Sequence, residues 1–524
     1  MRRVGIFGWG IVAPRSPNVA KFAANLESSE SWLEPFHGFG PDTFLVGKPE
    51  FSFEEYRSWI VERFPPSRFH TLEAKMDLPT QYAIGGFIQA LQQNPGIEQE
   101  LARLGTRTRV YVGTGLGNLA TISEATLSLR RGQRRWDRFW AERHPDYAAA
   151  NVGGAGGIEA APDRPPHPET FGVDDRDEAQ GAWWHWWAER SPELATYLVE
   201  LAEIEGHGIH GDVEKAKMSV MKEKQRGHAK LQEKWQCPEP PWRSVSANLL
   251  WNIQNTPSSQ ISILGKITGL AFAPVAACST FGVTLKLAMD AIQAGEADAV
   301  VLGATDPPPL PITVAAFYAG RVISADAAVS KPLTTLRGTH VAGGAAIWIV
   351  GDYDHMTARG FTPLGMEPVG VGVSSDADHI ITPSAEGPTT AIREALAASG
   401  VDPATIGSWD LHATATPGDW KEIATLRGMV PGQVLVTARK GTFGHGMSAG
   451  GGWELTAQYL GYDRGRLFPT PLARPELNEE IGRLHPLYVF DAPCAAPAGP
   501  MGKLSMGIGG INACVISKPW SSKA

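Results

Sequence analysis

Apolar runs and helical stripes alternate along this chain. Val4–Phe7 is a continuous apolar segment of buried-strand length, and Thr80–Gln93 places Ile84, Phe87, Ile88 and Leu91 at helical spacing. Arg109–Val112 predicts a second short strand, running into Gly113-Thr114-Gly115-Leu116-Gly117. That loop lacks the G-x-G-x-x-G spacing of a dinucleotide site, and no acidic residue ends a following strand, so it reads as a tight turn leaving a strand. Ala271–Ala277 is apolar up to Cys278, after which Leu285, Ala288, Met289 and Ile292 mark one face of a helix. Gly295 ends that helix and Ala299–Gly303 is the next buried strand. Strand, turn and helix recur as Gln433–Ala438, Lys440–Gly446 and Ser448–Leu460. The alternation predicts an α/β protein with a largely buried sheet. Two strand–turn–helix units with a reactive residue at the turn hint at internal duplication.

Between about residues 128 and 242 the pattern changes. Arg130, Arg131, Arg134 and Arg135 cluster, a loop rich in Gly, Ala, Pro and Asp covers 148–175, and Trp183-Trp184-His185-Trp186-Trp187 follows. Nine of the chain's 17 tryptophans lie between Trp136 and Trp251. Such rings either pack the segment onto the body of the protein or line a substrate mouth. The helical stretch from Asp212 to Trp235 holds seven basic and four acidic residues, on a chain whose net charge is −8. It is either a solvated mixed-charge face or a landing site for an acidic partner. His207 and His210 lack the further ligands of a metal site.

With 43% hydrophobic and 19% charged residues, the 524-residue chain can bury a large core. The acidic balance excludes a dedicated nucleic-acid binder. Its four cysteines form neither a disulfide framework nor a zinc pattern, which fits a reducing cytoplasm. Met1-Arg2-Arg3 and the apolar run after it imitate a signal peptide, but Gly5, Gly8 and Gly10 interrupt the run and Pro14 ends it. No stretch approaches the roughly 18 apolar residues of a spanning helix. A soluble protein without membrane insertion is expected.

Cys278 sits at a strand-to-helix turn, where unpaired N–H groups and the helix dipole favour a thiolate and can hold an oxyanion. The alternative is a small buried hydrophobe. His412, opening His412-Ala413-Thr414-Ala415-Thr416-Pro417, and His445, in Lys440-Gly441-Thr442-Phe443-Gly444-His445, also follow strand candidates on small-residue loops. Together the three turns suit acyl chemistry.

These segments resemble the β-ketoacyl-acyl-carrier-protein synthases, the Cys-His-His branch of the thiolase superfamily. Arg3–Pro14 is similar to that family's first strand, and Ala276-Ala277-Cys278-Ser279-Thr280 to its nucleophile motif. His412–Pro417 matches HGTGTP with both glycines changed to alanine; Lys440–His445 matches KxxxGH, and Met506–Asn512 matches FGFGGxN. The resemblance covers roughly residues 1–125 and 245–517. It implies a thiolase-like fold of duplicated αβαβα layers with a Trp-rich, mainly helical insertion at about 128–242. The nucleophile half would be 1–350 and the histidine half 351–524.

The resemblance implies that Cys278 accepts an acyl chain from a phosphopantetheine thioester. His412 and His445 would serve decarboxylation of a malonyl-type extender, and Lys440 would fix the loop. The N–H groups of Cys278 and Ile508 would form the oxyanion hole. Thr414, Thr416, Phe443, Gly507 and Gly509 would bind substrate. No metal and no cofactor beyond the carrier's phosphopantetheine is implied; the partners would be acyl carrier protein and an identical or related subunit in a dimer. The family's GEGA motif reads Gly343-Gly344-Ala345-Ala346, its PFD motif reads Pro332-Leu333-Thr334, and its gating phenylalanine is Ile508. One residue is also missing between Pro417 and Asp419. These departures point to a specialised condensing enzyme in fatty acid or polyketide biosynthesis. They leave open a non-elongating acyltransferase or decarboxylase, or a chain-length-factor-like subunit.

Overall fold

The structure, a computed structural model, describes residues 2–40, 43–152, 161–209, 213–380, 382 and 384–520. The chain forms two units, Met1–Ala120 with Leu250–Ala524, and Thr121–Leu249.

The first unit is built on two five-stranded sheets. One contains Val4–Val12 (β1), Thr108–Gly113 (β2), Ala271–Phe272 (β3), Ala299–Asp306 (β4) and Gly344–Asp352 (β5), in the order β1-β5-β4-β2-β3. The other contains Glu367–Ser375 (β6), Ser408–Asp410 (β7), Leu435–Thr437 (β8), Met501–Gly507 (β9) and Ile511–Lys518 (β10), in the order β6-β10-β9-β7-β8. In each sheet the first two pairings are antiparallel and the last two parallel. Strand for strand, the second sheet repeats the first, so the duplication is present in the topology.

Helices supply the other layers. Leu78–Gln92 (α1) covers the outer face of the first sheet, where Ile84, Phe87 and Ile88 meet Phe7, Val110, Ile347 and Ile349. Gly10 and Gly86 allow that approach: a Cβ on Gly10 would lie 1.8 Å from the Gly86 carbonyl oxygen. Two of the glycines that interrupt the first apolar run, Gly8 and Gly10, therefore serve helix-on-strand packing. Thr280–Gln293 (α2) lies between the sheets, and Glu386–Ser399 (α3) and Gly418–Met429 (α4) cover the outer face of the second. Met447–Asp463 (α5) lies beside α2. There Phe281, Leu285, Trp453 and Tyr459 join Leu302 and Trp348 of one sheet to Val371 and Val515 of the other. Along β5 the side chains alternate, Trp348 and Val350 inward, Ile347 and Ile349 outward.

Two predicted elements differ locally. Of Ala271–Ala277 only Ala271–Phe272 joins the ladder, because Pro274 has no N–H to give it. The expected turn at Lys440–Gly446 begins with one helical turn, Lys440–Phe443. At the sheet edge, Leu270, Phe272 and Val275 beside β3 are exposed.

The second unit is helical, with Val173–Glu189, Pro192–Glu205 and Val213–Trp235 following the long helix Leu119–Ala141. The tryptophans build this unit's own core: Trp136, Trp140, Tyr197, Leu231 and Cys237 form one cluster, and Tyr147, Trp183 and Trp187 another. The rings meet edge to face, Trp136–Trp140 at 5.4 Å and Trp140–Trp235 at 5.6 Å between centroids, the geometry aromatic quadrupoles favour. Trp242 alone of this unit's tryptophans is more than half exposed, at 55%, so the aromatic-mouth expectation does not hold for the group. In the basic helix, Lys224 pairs with Glu205 at 3.0 Å, and Lys234 pairs with Glu200. Part of the expected positive excess is thus spent inside the unit. Asp212, His210 and the side chains of Glu214 and Lys215 lie outside the described residues. No described helix is long and apolar enough to cross a membrane.

Candidate active site

The nucleophile turn is held from three directions. Ala277 takes a left-handed conformation (φ 47°), which reverses the chain into the short turn Ala277–Ser279 and then α2. The Thr280 hydroxyl accepts from the Ala276 N–H (3.0 Å) and donates to the Ala277 carbonyl (2.7 Å). The Ser279 hydroxyl donates to the carbonyls of Ser505 (3.1 Å) and Ile511 (2.7 Å), tying the turn to the β9–β10 hairpin.

Cys278, His412 and His445 line one cavity of about 290 Å³, together with Thr414, Thr416, Gly507 and Ile508. The two imidazoles stand edge to face with centroids 5.3 Å apart. Glu422 of α4 accepts from the N–H groups of His412 (2.7 Å) and Ala413 (2.8 Å), while Asp419 accepts from Thr414 (2.8 Å). Burial pushes Glu422 up to about 7 and Asp419 up to about 6, against these hydrogen bonds. Lys440 does not line the cavity. Its buried ammonium donates to the His412 carbonyl and lies 2.7 Å from Glu454 Oε1 of α5.

Electrostatics set the resting protonation. Burial, reinforced by the positive charge of Lys440, holds both histidines well below their usual range, so both are neutral near pH 7. The expected thiolate is not the resting form of Cys278. Burial pushes its thiol up to about 11, outweighing Lys440 and the N–H groups of Ile508 and Cys278 that favour the anion. A helix N-terminus lowers a thiol only where desolvation does not win. Alkylation of Cys278 by iodoacetamide should therefore rise about tenfold per pH unit between about pH 7 and 10. A plateau already by about pH 8 in a pH–rate series would contradict this.

Two expected substrate contacts fall elsewhere. Phe443 is fully buried among Phe22, Trp32 and Trp453, with centroids 5.6–6.2 Å away, because the helical turn Lys440–Phe443 aims it into the core. Gly509 lies outside the cavity lining, its N–H donating to the Ile380 carbonyl at 2.7 Å. Sequence reasoning missed Phe317, Arg321, Val322, Lys421 and Met506 on the cavity wall, and the carboxylates beneath it. The loop Gly113–Gly117 is a turn, as expected, and the buried Asp306 organises it. That carboxylate accepts from the N–H groups of Gly115 (3.0 Å), Leu116 (2.6 Å) and Ser448 (2.8 Å).

Models of the β-ketoacyl synthase N-terminal domain match residues 1–161 and 202–354, and of the C-terminal domain residues 367–472. The chain belongs to the β-ketoacyl synthase family. Nodulation protein E of Rhizobium meliloti (strain 1021) is 29% identical over 250 residues, 45% of this chain and 61% of that protein. The 3-oxoacyl-[acyl-carrier-protein] synthase 2 of Staphylococcus aureus is 30% identical over 228 residues, 42% of this chain and 56% of that protein. The chain thus spans less than two thirds of the length of these curated relatives. A type II polyketide ketosynthase solved in complex with its acyl-carrier protein shares the fold, with TM-score 0.64 and 18% identity, over 99% of each chain.

The departures from the β-ketoacyl synthase motifs have local causes. Gly344 stands where GEGA has glutamate, at φ 138°, and a Cβ there would lie 2.1 Å from the Val12 carbonyl oxygen and 2.8 Å from the Trp453 ring. The Val12 backbone, with Trp453 behind it, thus leaves no room for the acid. Ala415 replaces the second glycine of HGTGTP while keeping a left-handed backbone (φ 56°), strain that a glycine would not carry.

Proposed function

We propose that this β-ketoacyl synthase family member is a condensing enzyme acting on thioesters carried by acyl carrier protein. The observation that carries the reading is the meeting of Cys278, His412 and His445 on one cavity, with two neutral imidazoles facing a buried thiol.

In the first half-reaction the Cys278 sulfur attacks the acyl thioester carbonyl. Its S–C bond forms, the bond to the pantetheine sulfur breaks, and the thiol proton ends on the departing pantetheine thiol. The N–H groups of Cys278 and Ile508 stabilise the tetrahedral oxyanion. In the second, the bond between the malonyl α-carbon and its carboxylate breaks and CO2 leaves. The electron pair becomes an enolate, whose oxygen accepts from His412 and His445. The enolate carbon attacks the acyl-Cys278 carbonyl, and the Cys278 thiolate departs and takes a proton from solvent. Neutral histidines suit this step, since they donate without having to lose a charge. Thr414 and Thr416, with hydroxyls 3.0 Å apart on the cavity wall, would meet the polar pantetheine arm, and Arg321 and Lys421 its phosphate. This chemistry needs no cofactor beyond the phosphopantetheine. The exposed apolar edge at β3 supports association with a like chain as a dimer.

The test is mass spectrometry of the protein incubated with acyl- and malonyl-carrier proteins, with CO2 measured in parallel. An acyl adduct on Cys278, CO2 and a ketoacyl product support condensation. CO2 without ketoacyl product identifies a decarboxylase, and adduct transfer without CO2 an acyltransferase. Absence of all three marks a non-catalytic subunit.

A further inference from the structure

Behind the histidines lies a row of buried charges that the reaction does not consume. Asp410 at the end of β7, Lys503 in β9, Glu454 in α5 and Lys440 alternate in sign, and each side chain is at most 2% exposed. Lys503 is its centre. Its Nζ lies 2.7 Å from Glu454 Oε2 and 3.2 Å from Asp410 Oδ1, and donates to the carbonyls of Leu411 (3.1 Å) and Leu504 (2.8 Å). Asp410 Oδ1 has no hydrogen bond among the described residues, so this ammonium is the charge that balances it. Glu454 holds Lys440, and Lys440 holds the His412 carbonyl. Two tethers therefore reach consecutive carbonyls, Leu411 directly and His412 through Glu454 and Lys440.

We propose that Lys503 is a positioning residue for His412, fixing the imidazole in the cavity through the Leu411 and His412 carbonyls while balancing Asp410 and Glu454. The proposal rests on the reading of His412 as a donor to the extender thioester. Stability alone does not account for a cation here, since a buried ion pair is often equalled or exceeded by apolar side chains of similar volume. Other charged and titratable groups around it are Glu422 of α4, Lys440, Cys514 of β10, both histidines, and the buried Arg439, which also faces Asp410 and Glu454. Removing its charge takes away one of the cations that hold both imidazoles low, which favours the imidazolium forms.

The test compares wild type with Lys503→Met in three measurements: Cys278 loading from an octanoyl-pantetheine thioester, CO2 release from malonyl-pantetheine, and NMR titration of the histidines. Loading should be unchanged, CO2 release should fall by about 10²-fold through kcat with little change in KM, and His412 should titrate at higher pH. Unchanged CO2 release and titration would overturn the proposal. So would parallel loss of loading and CO2 release with a lowered Tm, the mark of a merely structural role. If Lys503→Met does not fold, Lys503→Met with Asp410→Asn restores the charge balance. There, loading without normal CO2 release supports the proposal, and wild-type CO2 release overturns it. If wild type releases no CO2, the condensing reading fails, while the histidine titration still decides the part of Lys503.

Discussion

Purified Cys278→Ala protein should carry no acyl group after incubation with an acyl-pantetheine thioester, whereas wild type should gain the mass of one. Condensing turnover should fall by on the order of 10⁶-fold, the scale seen when an enzyme loses its nucleophile. CO2 release from a malonyl thioester should persist, because the substitution leaves His412, His445 and the cavity wall in place. Intact-mass spectrometry and CO2 trapping read the two effects separately. Acylation of the alanine variant would place the nucleophile elsewhere, and Cys494, the most exposed of the four cysteines, would be the first to examine.

His412→Ala and His445→Ala should have the opposite profile. Each should load Cys278 normally and lose about 10²–10³-fold in CO2 release, the effect of removing one donor to a developing oxyanion. The pKa directions set the expected pH profile. Burial and Lys440 lower both imidazoles, so they stay neutral as pH rises through about 6 to 8, and wild-type CO2 release should show no histidine titration across that window. A step near pH 6.5 that disappears in His412→Ala would show an ordinary, solvated histidine instead. Collapse of loading with CO2 release intact would mean that the histidines activate the thiol.

The turns bearing Cys278, His412 and His445 were legible in the sequence because each is local, a few small residues between a strand and a helix. The order of the strands was not, although the repeated strand–turn–helix units pointed to it. The errors came from effects that only the folded chain supplies. The helix N-terminus predicts a thiolate, but burial, a property of the surrounding cavity, decides its protonation. Phe443 shares a motif with Lys440 and His445, yet the contacts that claim it, Phe22 and Trp32, lie more than 400 residues away in the chain. Lys503 and Glu454 likewise meet only in the folded chain. Lys503, the one charged residue of the buried strand Met501–Gly507, and Glu454, in the middle of the buried helix α5, are visible anomalies, each asking for a buried partner of opposite charge. What could not be read was that they answer each other.

The repeated sheet order also governs how this protein is made. Among the described residues β1 finds its only sheet neighbour in β5, whose pairing runs from Val4 with Asp352 to Val12 with Ala345. At ribosomal speeds of about 5–20 residues per second, the first strand waits roughly 20–70 s for its partner to be synthesised. Meanwhile Thr121–Leu249, contiguous in sequence and possessing its own tryptophan core, is complete and free to fold. The helical unit is thus expected to mature before the sheet on which its host depends. Val4–Val12, apolar along its length, spends that interval without the strand it pairs with.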